Sequence, residues 1–596
     1  MLGPLSNLNR YFFKYRYRFV WGICFVILSN LAGVYPPQVI RYSFDLVKEN
    51  IVYYDLFKGF FQQELLRDNI GFLLMIFGIV VLLLALLKGL FMFMMRQTLI
   101  VMSRLIEYDL RNDMYQHYQQ LSATFYKRNK TGDLMSRVSE DVSRVRMYLG
   151  PAILYLTNLT FMFLFVIGTM FSINAQLTLW VLLPLPILSF LIYSINKIID
   201  RKSEAIQQQL SQLTSLSQES YSGIRVVKSY VQEQPMLQLF NDESELYKNK
   251  SLSLARINAM YFPLILLLVG VSTIITIYMG GIQVMNGTFS SGNIAEFVIY
   301  VNMLTWPVSS VGWVASIIQR AAASQRRINE FLHTPADIVS GDALSDLSGN
   351  IVFDQVSFRY PDTGILALDK VSFSIKQGEK IALIGKTGSG KTTVADLLVR
   401  MYEPTKGEIL LDAMPIEQLD LHQLRQQIAY VPQDVFLFSD TIAGNIAFGA
   451  PQADEQVVET AARNAHIYKE IKELPQQFET LVGERGVTLS GGQKQRISLA
   501  RALAKDAEVF VLDDSLSAVD AQTEQQILQM MRTFLADKTA IIITHRVFSL
   551  LTFDKILVLD EGKLVAQGTH ENLLKESSIY AQLYELQQTE NVISKS

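Results

Sequence analysis

The sequence predicts a polytopic α-helical membrane domain, with six transmembrane helices and long cytosolic arms, followed by an α/β P-loop domain. Three observations predict it. Half of the residues are hydrophobic, but they concentrate before about residue 320, and the remainder reads like a soluble protein. Uncharged stretches of bilayer length recur in the first part. In the second part a glycine-rich run follows an apolar strand and opens a helix, the setting of a phosphate-binding loop. At 596 residues the chain also exceeds a single core, so at least two domains are expected.

The spans follow from the runs without charge. Phe19 to Ile40 makes the first, and Asn69 to Leu87 the second, with room to continue past Lys88 to Met95. Met147 to Asn196 is uncharged but too long for one crossing, and Ser172-Ile173-Asn174-Ala175-Gln176 divides it into the third and fourth. Ile257 to Ala295 carries the fifth and the turn Asn286-Gly287-Thr288, and the sixth runs from about Glu296 to Gln319. The expected segments are a cytosolic elbow over 1–18, the membrane domain over 19–325, a linker over 326–349 and the P-loop domain over 350–596. Pro36-Pro37 and Pro184 with Pro186 are expected to kink the first and fourth spans. No cleavable signal is read at the N-terminus.

Orientation follows from basic residues at the span ends. Arg10, Lys14, Arg16 and Arg18 precede the first span with no acid among them, which places the N-terminus in the cytosol. An even number of spans returns the second domain to the same side, so the chain is expected in the cytoplasmic (inner) membrane. The connections Arg96 to Arg146 and Lys197 to Arg256 are polar, poor in glycine and proline, and helical in pattern, with Leu210, Leu213 and Leu216 at heptad-like spacing. Legs of about 25 residues would project some 35–40 Å. Net charge is −3 with no long basic run, so nucleic acid is not an expected partner. The single cysteine, Cys24, lies in an apolar run and reads as a small buried hydrophobe.

Gly385-Lys386-Thr387-Gly388-Ser389-Gly390-Lys391-Thr392 follows the strand Lys380–Ile384 and precedes helical Val394–Arg400. Glycines let backbone N–H groups close around phosphate oxygens, and the helix N-terminus adds its dipole. Lys391 is expected on the β- and γ-phosphates of ATP, the Thr392 hydroxyl on Mg²⁺, and Thr393 among the nucleotide-binding residues. Val509-Phe510-Val511-Leu512-Asp513 is an apolar strand ending in a carboxylate, so Asp513 is the second residue on the Mg²⁺ side, through water. Leu489-Ser490-Gly491-Gly492-Gln493 opens a helix running through Arg501, a second helix end suited to phosphate.

With these residues in order, the chain resembles the ABC transporter family. Leu489 to Gln493 is similar to the ABC signature, Gln433 in Tyr430-Val431-Pro432-Gln433-Asp434 to the Q-loop, and Ser517-Ala518-Val519-Asp520 to the D-loop. His545 in Thr544-His545-Arg546 matches the switch histidine, Tyr360 the aromatic that stacks on adenine, and Val482-Gly483-Glu484-Arg485-Gly486 the exporter segment before the signature. The resemblance covers nearly the whole chain. It implies an ATPase coupled to transport, with Gln433 reaching both the metal and the attacking water, Asp520 at the nucleotide interface, and coupling helices near Thr124 to Ser136 and Tyr221 to Tyr230. It also implies a shared site. Each ATP lies between the P-loop of one chain and the signature of another, so one copy of each motif requires a second half-transporter.

One position departs from the family pattern. The residue after the Walker B aspartate is usually glutamate, which activates water, and here it is Asp514. Its carboxylate stands back by about 1.5 Å, so the site on this chain's P-loop is expected to bind ATP and hydrolyse it slowly. Asp513 to Asp520 reads Asp-Asp-Ser-Leu-Ser-Ala-Val-Asp, resembling one subunit of bacterial heterodimeric multidrug-resistance-like exporters. A homodimer with conservative Glu-to-Asp drift is the alternative, and retention of His545 keeps it open.

Three functions are compatible with these residues. The first is ATP-driven export of amphipathic or hydrophobic compounds; the second a lipid or lipopeptide flippase; the third an ATP-sensing regulatory subunit that transports nothing. An importer is disfavoured by the fusion of six spans to the cassette, and no dense basic ring in the spans favours an anionic lipid. Lys88 either lines a cavity, snorkels or packs in protein. Asn302, Trp306 and Trp313 of the sixth span either face the pathway or pack.

Overall fold

The computed structural model describes residues 3–483, 489–544 and 553–593. It divides into two compact units. One comprises residues 1–117 and 132–334; the other comprises 118–131 together with the chain from Pro335 onward.

The first unit is helical. Its long helices are Arg16–Leu56, Phe61–Gln120, Thr131–Ile173, Glu233–Met285 and Ser291–Leu332, each long and apolar enough to cross a bilayer. The remaining crossing is broken in two, Ala175–Leu182 and Pro184–Ser222. Proline cannot donate to the preceding turn and clashes with the carbonyl four residues back, so the helix stops before Pro184 and starts again on it. Ala175 to Asn196 is uncharged, close to the ~20 residues a crossing needs. The expected proline kinks therefore differ in outcome: the first helix continues through Pro36 and Pro37, while the fourth is interrupted.

The arms are continuations of the membrane helices. Phe61–Met95 runs through a π-helical turn at Arg96–Ile100 into Val101–Gln120, and the third span is reached through π turns at Arg137–Asp141 and Tyr148–Ala152. Buried polar groups fix the helices to one another. Glu296 is fully buried and pairs with Arg41 at 3.3 Å, while the single Tyr300 O–H is shared between Glu296 and the Val34 carbonyl at 3.1 and 3.0 Å. In the first arm, Glu107 accepts from Arg104 and Arg111 and lies 3.3 Å from Arg146. Of the three spaced leucines in the second arm only Leu213 is buried. Lys88 packs with its ammonium against Gly33 of the first helix. Cys24 is half-buried.

The tip of the second arm is the helix Ile224–Ser229, none of whose residues is buried. Tyr221, Val226, Tyr230 and Val231 around it are 76%, 60%, 72% and 77% exposed. Val231 has φ 55°, a left-handed conformation that is unfavourable for a β-branched residue.

The second unit is an α/β domain of two sheets. An antiparallel sheet has the order β2-β1-β4-β5, with β1 Ile351–Arg359, β2 Leu366–Ile375, β4 Lys406–Leu411 and β5 Met414–Pro415. A six-stranded sheet has the order β10-β9-β3-β8-β7-β6. Its strands are β3 Lys380–Gly385, β6 Ile428–Val431, β7 Val509–Asp513, β8 Thr539–Ile543, β9 Lys555–Asp560 and β10 Lys563–Gly568. Strands β9, β3, β8, β7 and β6 are parallel neighbours, and β3, β7 and β8 are almost wholly buried, as strands covered on both faces must be. The short helix Ala123–Arg128, from the tip of the first arm, belongs to this unit: Ala123 packs on its core, Ser122 donates to Asp337 at 2.7 Å, and Arg128 donates to the Pro361 carbonyl at 2.7 Å.

Candidate nucleotide site

The site forms where parallel strands end. Ligands of open α/β sheets sit beyond the carboxyl ends of the strands; β3 ends at Gly385, β7 at Asp513 and β6 at Val431, two residues before Gln433. Pairing of Val431 with Leu512 sets Gln433 at the same edge as Asp513.

Between β3 and the helix Lys391–Leu398 the chain loops through Gly385–Gly390. Two glycines are required by shape. Gly385 (φ 157°) and Gly390 (φ 98°) have no room for a Cβ, which would collide with the carbonyls of Leu559 and Ala367. Lys391 is buried, and its ammonium donates to the carbonyls of Gly385 and Lys386 at 2.9 and 2.8 Å. Burial holds its pKa below the ordinary lysine value, with Asp513 and Asp514 pulling it back up. Asp513 is 1% exposed; burial raises its carboxyl, while the Thr392 hydroxyl and Lys391 lower it.

Two buried polar atoms of this cradle have no hydrogen-bond partner among the described residues: Ser389 Oγ and Asp513 Oδ2. Unpaired buried polar atoms are costly in an apolar setting. A hydroxyl beside the loop amides and a carboxylate oxygen beside Thr392 suit a phosphate chain and a hard, oxygen-seeking cation.

Asp514 follows with φ 45°. Its amide donates to the Ile543 carbonyl at 2.9 Å, and its carbonyl accepts from the amide and hydroxyl of Ser517 at 3.3 and 3.0 Å.

Tyr360 follows β1, and its hydroxyl lies 3.0 Å from Thr393 Oγ1. It packs edge-on against Tyr402 with ring centres 5.5 Å apart. Lys127, on the docked helix Ala123–Arg128, lies over both rings at 5.3 and 5.2 Å. Asp396, on the helix after the loop, accepts from the Tyr430 hydroxyl at 3.2 Å, and burial pushes its carboxyl up to about 6. Lys127, Asp396 and Tyr402 join this cluster without belonging to any of the sequence motifs. Asp396 carries a legible signal, an acid one turn beyond the P-loop threonines and flanked by Val394, Ala395, Leu397 and Leu398. Lys127 and Tyr402 carry none, because tertiary packing brings them to Tyr360.

The signature lies elsewhere. Ser490 caps the helix Gly491–Leu503 in a capping box: its Oγ accepts from the Gln493 amide and the Gln493 side chain accepts from the Ser490 amide, at 3.2 and 2.9 Å. Leu489 is half-buried, and Ser490 and Gly491 are exposed. The helix start packs on the Ser517–Asp520 loop: Gln495 accepts from the Ala518 amide at 2.9 Å, and a Cβ on Gly492 would crowd the Ala518 carbonyl at 2.8 Å. Asp520 caps the helix Ala521–Phe534 through the Thr523 amide, and that amide lowers its pKa. The structure thus brings Gly385–Thr393, Gln433, Asp513 and Asp514 to one edge of the parallel sheet, ties Tyr360 of the other sheet to it through Thr393, and joins the helix opened by Leu489–Gln493 to the Ser517–Asp520 loop in a second cluster. His545 and Glu484-Arg485-Gly486 lie outside the described residues.

A helical membrane domain joined to an α/β domain with a strand-bound phosphate loop defines a membrane protein that works on nucleoside triphosphate. Comparison with known proteins makes this specific. Family models described as the ABC transporter transmembrane region and as ABC transporter match residues 19–308 and 368–517. The chain is 37% identical over 593 residues to the probable multidrug resistance ABC transporter ATP-binding/permease protein YheI of Bacillus subtilis, covering 99% of this chain and 98% of that one. It is 34% identical over 587 residues to the multidrug resistance-like ATP-binding protein MdlA of Escherichia coli, covering 98% and 97%. A bacterial Atm1-family ABC exporter solved with ATP bound superposes with a TM-score of 0.77 at 25% identity, over 96% of this chain and 98% of the other. The chain belongs to the ABC transporter family. It is an ATP-driven exporter, an ATPase coupled to membrane transport.

Proposed function

We propose that this chain is one half of a dimeric multidrug-type exporter that binds ATP on its own P-loop and hydrolyses it slowly there. The N-terminus and cassette face the cytosol. The observation that carries the reading is Asp514, a shortened carboxylate on a backbone pinned at both ends, in a chain whose signature keeps an intact, exposed capping box.

The residues act as follows. Loop amides from Gly385 to Gly390 and the Lys391 ammonium hold the phosphates, and Tyr360 stacks on the base. Thr392, Asp513 and Gln433 would hold Mg²⁺, which would neutralise charge on the phosphate oxygens. Asp514 orients water poorly, because a general base must reach within about 2.6–3.2 Å of its proton. The unpartnered signature and Asp520 complete a second site, on the P-loop of a partner half-transporter. A glutamate-bearing partner, making a heterodimer, fits the departure at Asp514; a homodimer remains the competing arrangement.

The exposed apolar tip around Ile224–Ser229 supports dimerisation, since it buries nothing in its own chain. Its partner is the cassette of the second half-transporter, which receives it as a lever. Closure of the two cassettes on ATP then moves the arms and turns the pathway outward. Disulfide cross-linking that locks the cassettes together is expected to abolish transport in vesicles. Transport that continues in the locked state refutes the coupling.

A further inference from the structure

A groove of about 400 Å³ opens between the fourth, fifth and sixth membrane helices, lined by Asn196, Asp200, Asn258, Tyr261, Trp313 and Arg320 among others. We propose that it is the loading site for a zwitterionic aromatic amphiphile: a flat apolar body with an ammonium and a carboxylate at one end. The proposal rests on the exporter reading with a cytosolic cassette, which makes the Asp200–Arg320 end the mouth on the cytosolic side.

The groove is graded along its length. Asp200 and Arg320 are the charged side chains lining it, both exposed, and neither has an ion-pair partner among the described residues. One Arg320 nitrogen donates to Ser316 Oγ at 2.6 Å, which orients the guanidinium and leaves its other N–H groups available to a carboxylate. Two turns deeper, about 10 Å at 1.5 Å per residue, the lining becomes aromatic. Trp313 is 43% exposed and rests edge-on against Tyr155 at 5.3 Å, which also touches Trp306 at 5.5 Å. Such a rigid aromatic wall takes a flat ring at low entropic cost. Between the two ends stands Asn196, whose amide nitrogen would lie 2.8 Å from a Cβ on Gly312, so glycine there is what lets an amide reach the floor.

Charge decides the ligand class. The two lining charges cancel, so a cargo with only an ammonium or only a carboxylate would desolvate one of them without an opposite charge. A zwitterion satisfies both, while its aromatic body reaches Trp313.

Three probes with one fluorophore test this: Nε-dansyl-lysine (zwitterion), dansylcadaverine (ammonium only) and dansyl-6-aminohexanoate (carboxylate only). The full chain is reconstituted in lipid nanodiscs and binding is read by tryptophan-to-dansyl energy transfer. The zwitterion is expected to bind about tenfold more tightly than either comparator, the worth of one charge-assisted contact. Arg320→Gln is expected to erase its advantage over dansylcadaverine, and Asp200→Asn its advantage over the carboxylate-only probe. Trp313→Phe lowers the energy transfer while keeping the order of affinities, and unchanged ATP binding shows that each variant is folded. Equal affinities for the three probes, or discrimination that survives both charge substitutions, overturn the proposal. ATP-driven accumulation of Nε-dansyl-lysine in inverted vesicles separates the two readings. Discriminating binding without accumulation upholds the groove and counts against export of such cargo. Accumulation without discrimination overturns the groove and leaves the exporter.

Discussion

Asp514→Glu restores the reach that the natural residue lacks. The amide of Asp514 is held by Ile543 and its carbonyl by Ser517, so the backbone cannot advance to compensate for a short side chain. One methylene moves the carboxylate about 1.5 Å, and a misplacement of about 1 Å at a reacting centre costs on the order of 100-fold. That is about 2.7 kcal/mol of barrier. The cost to the fold is smaller. Asp514 sits at φ 45°, where aspartate is better tolerated than glutamate, by about 1 kcal/mol at most. The assay is steady-state ATP turnover of the purified full chain in lipid, natural against substituted. The natural chain alone is expected far below the median enzyme turnover of ~10 per second, and the substituted chain ten- to a hundredfold above it. Ordinary turnover by the natural chain, or no gain on substitution, refutes the reasoning and favours the homodimer.

Gly390→Ala drives a Cβ into the Ala367 carbonyl at φ 98° and is expected to cost about 2–3 kcal/mol, seen as a lower thermal midpoint and lost ATP binding; a natural midpoint would contradict the shape argument. Asp396 is held up to about 6 from an ordinary 3.8, so the folded state binds its proton more tightly and loses stability as pH rises from about 4 to 6, a total near 3 kcal/mol. Asp396→Asn, whose oxygen can still accept from Tyr430, is expected to be more stable than the natural chain at pH 7.5 and to lose that advantage near pH 4; equal thermal midpoints at pH 7.5 would refute it. Glu296→Gln leaves Arg41 without its buried partner and is expected to cost about 3 kcal/mol, measured by chemical unfolding in detergent. Val226→Asp puts a charge on the exposed arm tip, so vesicle transport is expected to fall steeply while nucleotide binding by the chain is unchanged; natural transport rates would remove that tip from the coupling.

Much of this protein is determined by the sequence alone. Uncharged runs of bilayer length place the helices because hydrocarbon admits little else, and the phosphate loop is legible because glycine spacing and a following helix are local features. Local chemistry also announces the helix that Leu489 to Gln493 opens, whereas the caps at Ser490 and Asp520 are seen only in the fold. The interruption of the fourth crossing at Pro184 was foreseeable as a disturbance, but the continuity of the first helix through Pro36 and Pro37 was not, since neighbouring helices decide whether a proline bends or ends a helix. The tertiary structure alone decides which distant groups meet. Lys127 reaches Tyr360 and Tyr402 only because an arm tip docks on the cassette core, and Asp396 acquires its raised pKa by burial, with the Asp513 charge adding to it. Asp200 and Arg320, 120 positions apart, share one groove because three helices pack side by side. Periodicity reports which face of an element is buried, but burial, opposite charge and contact between remote segments are properties of the packed chain.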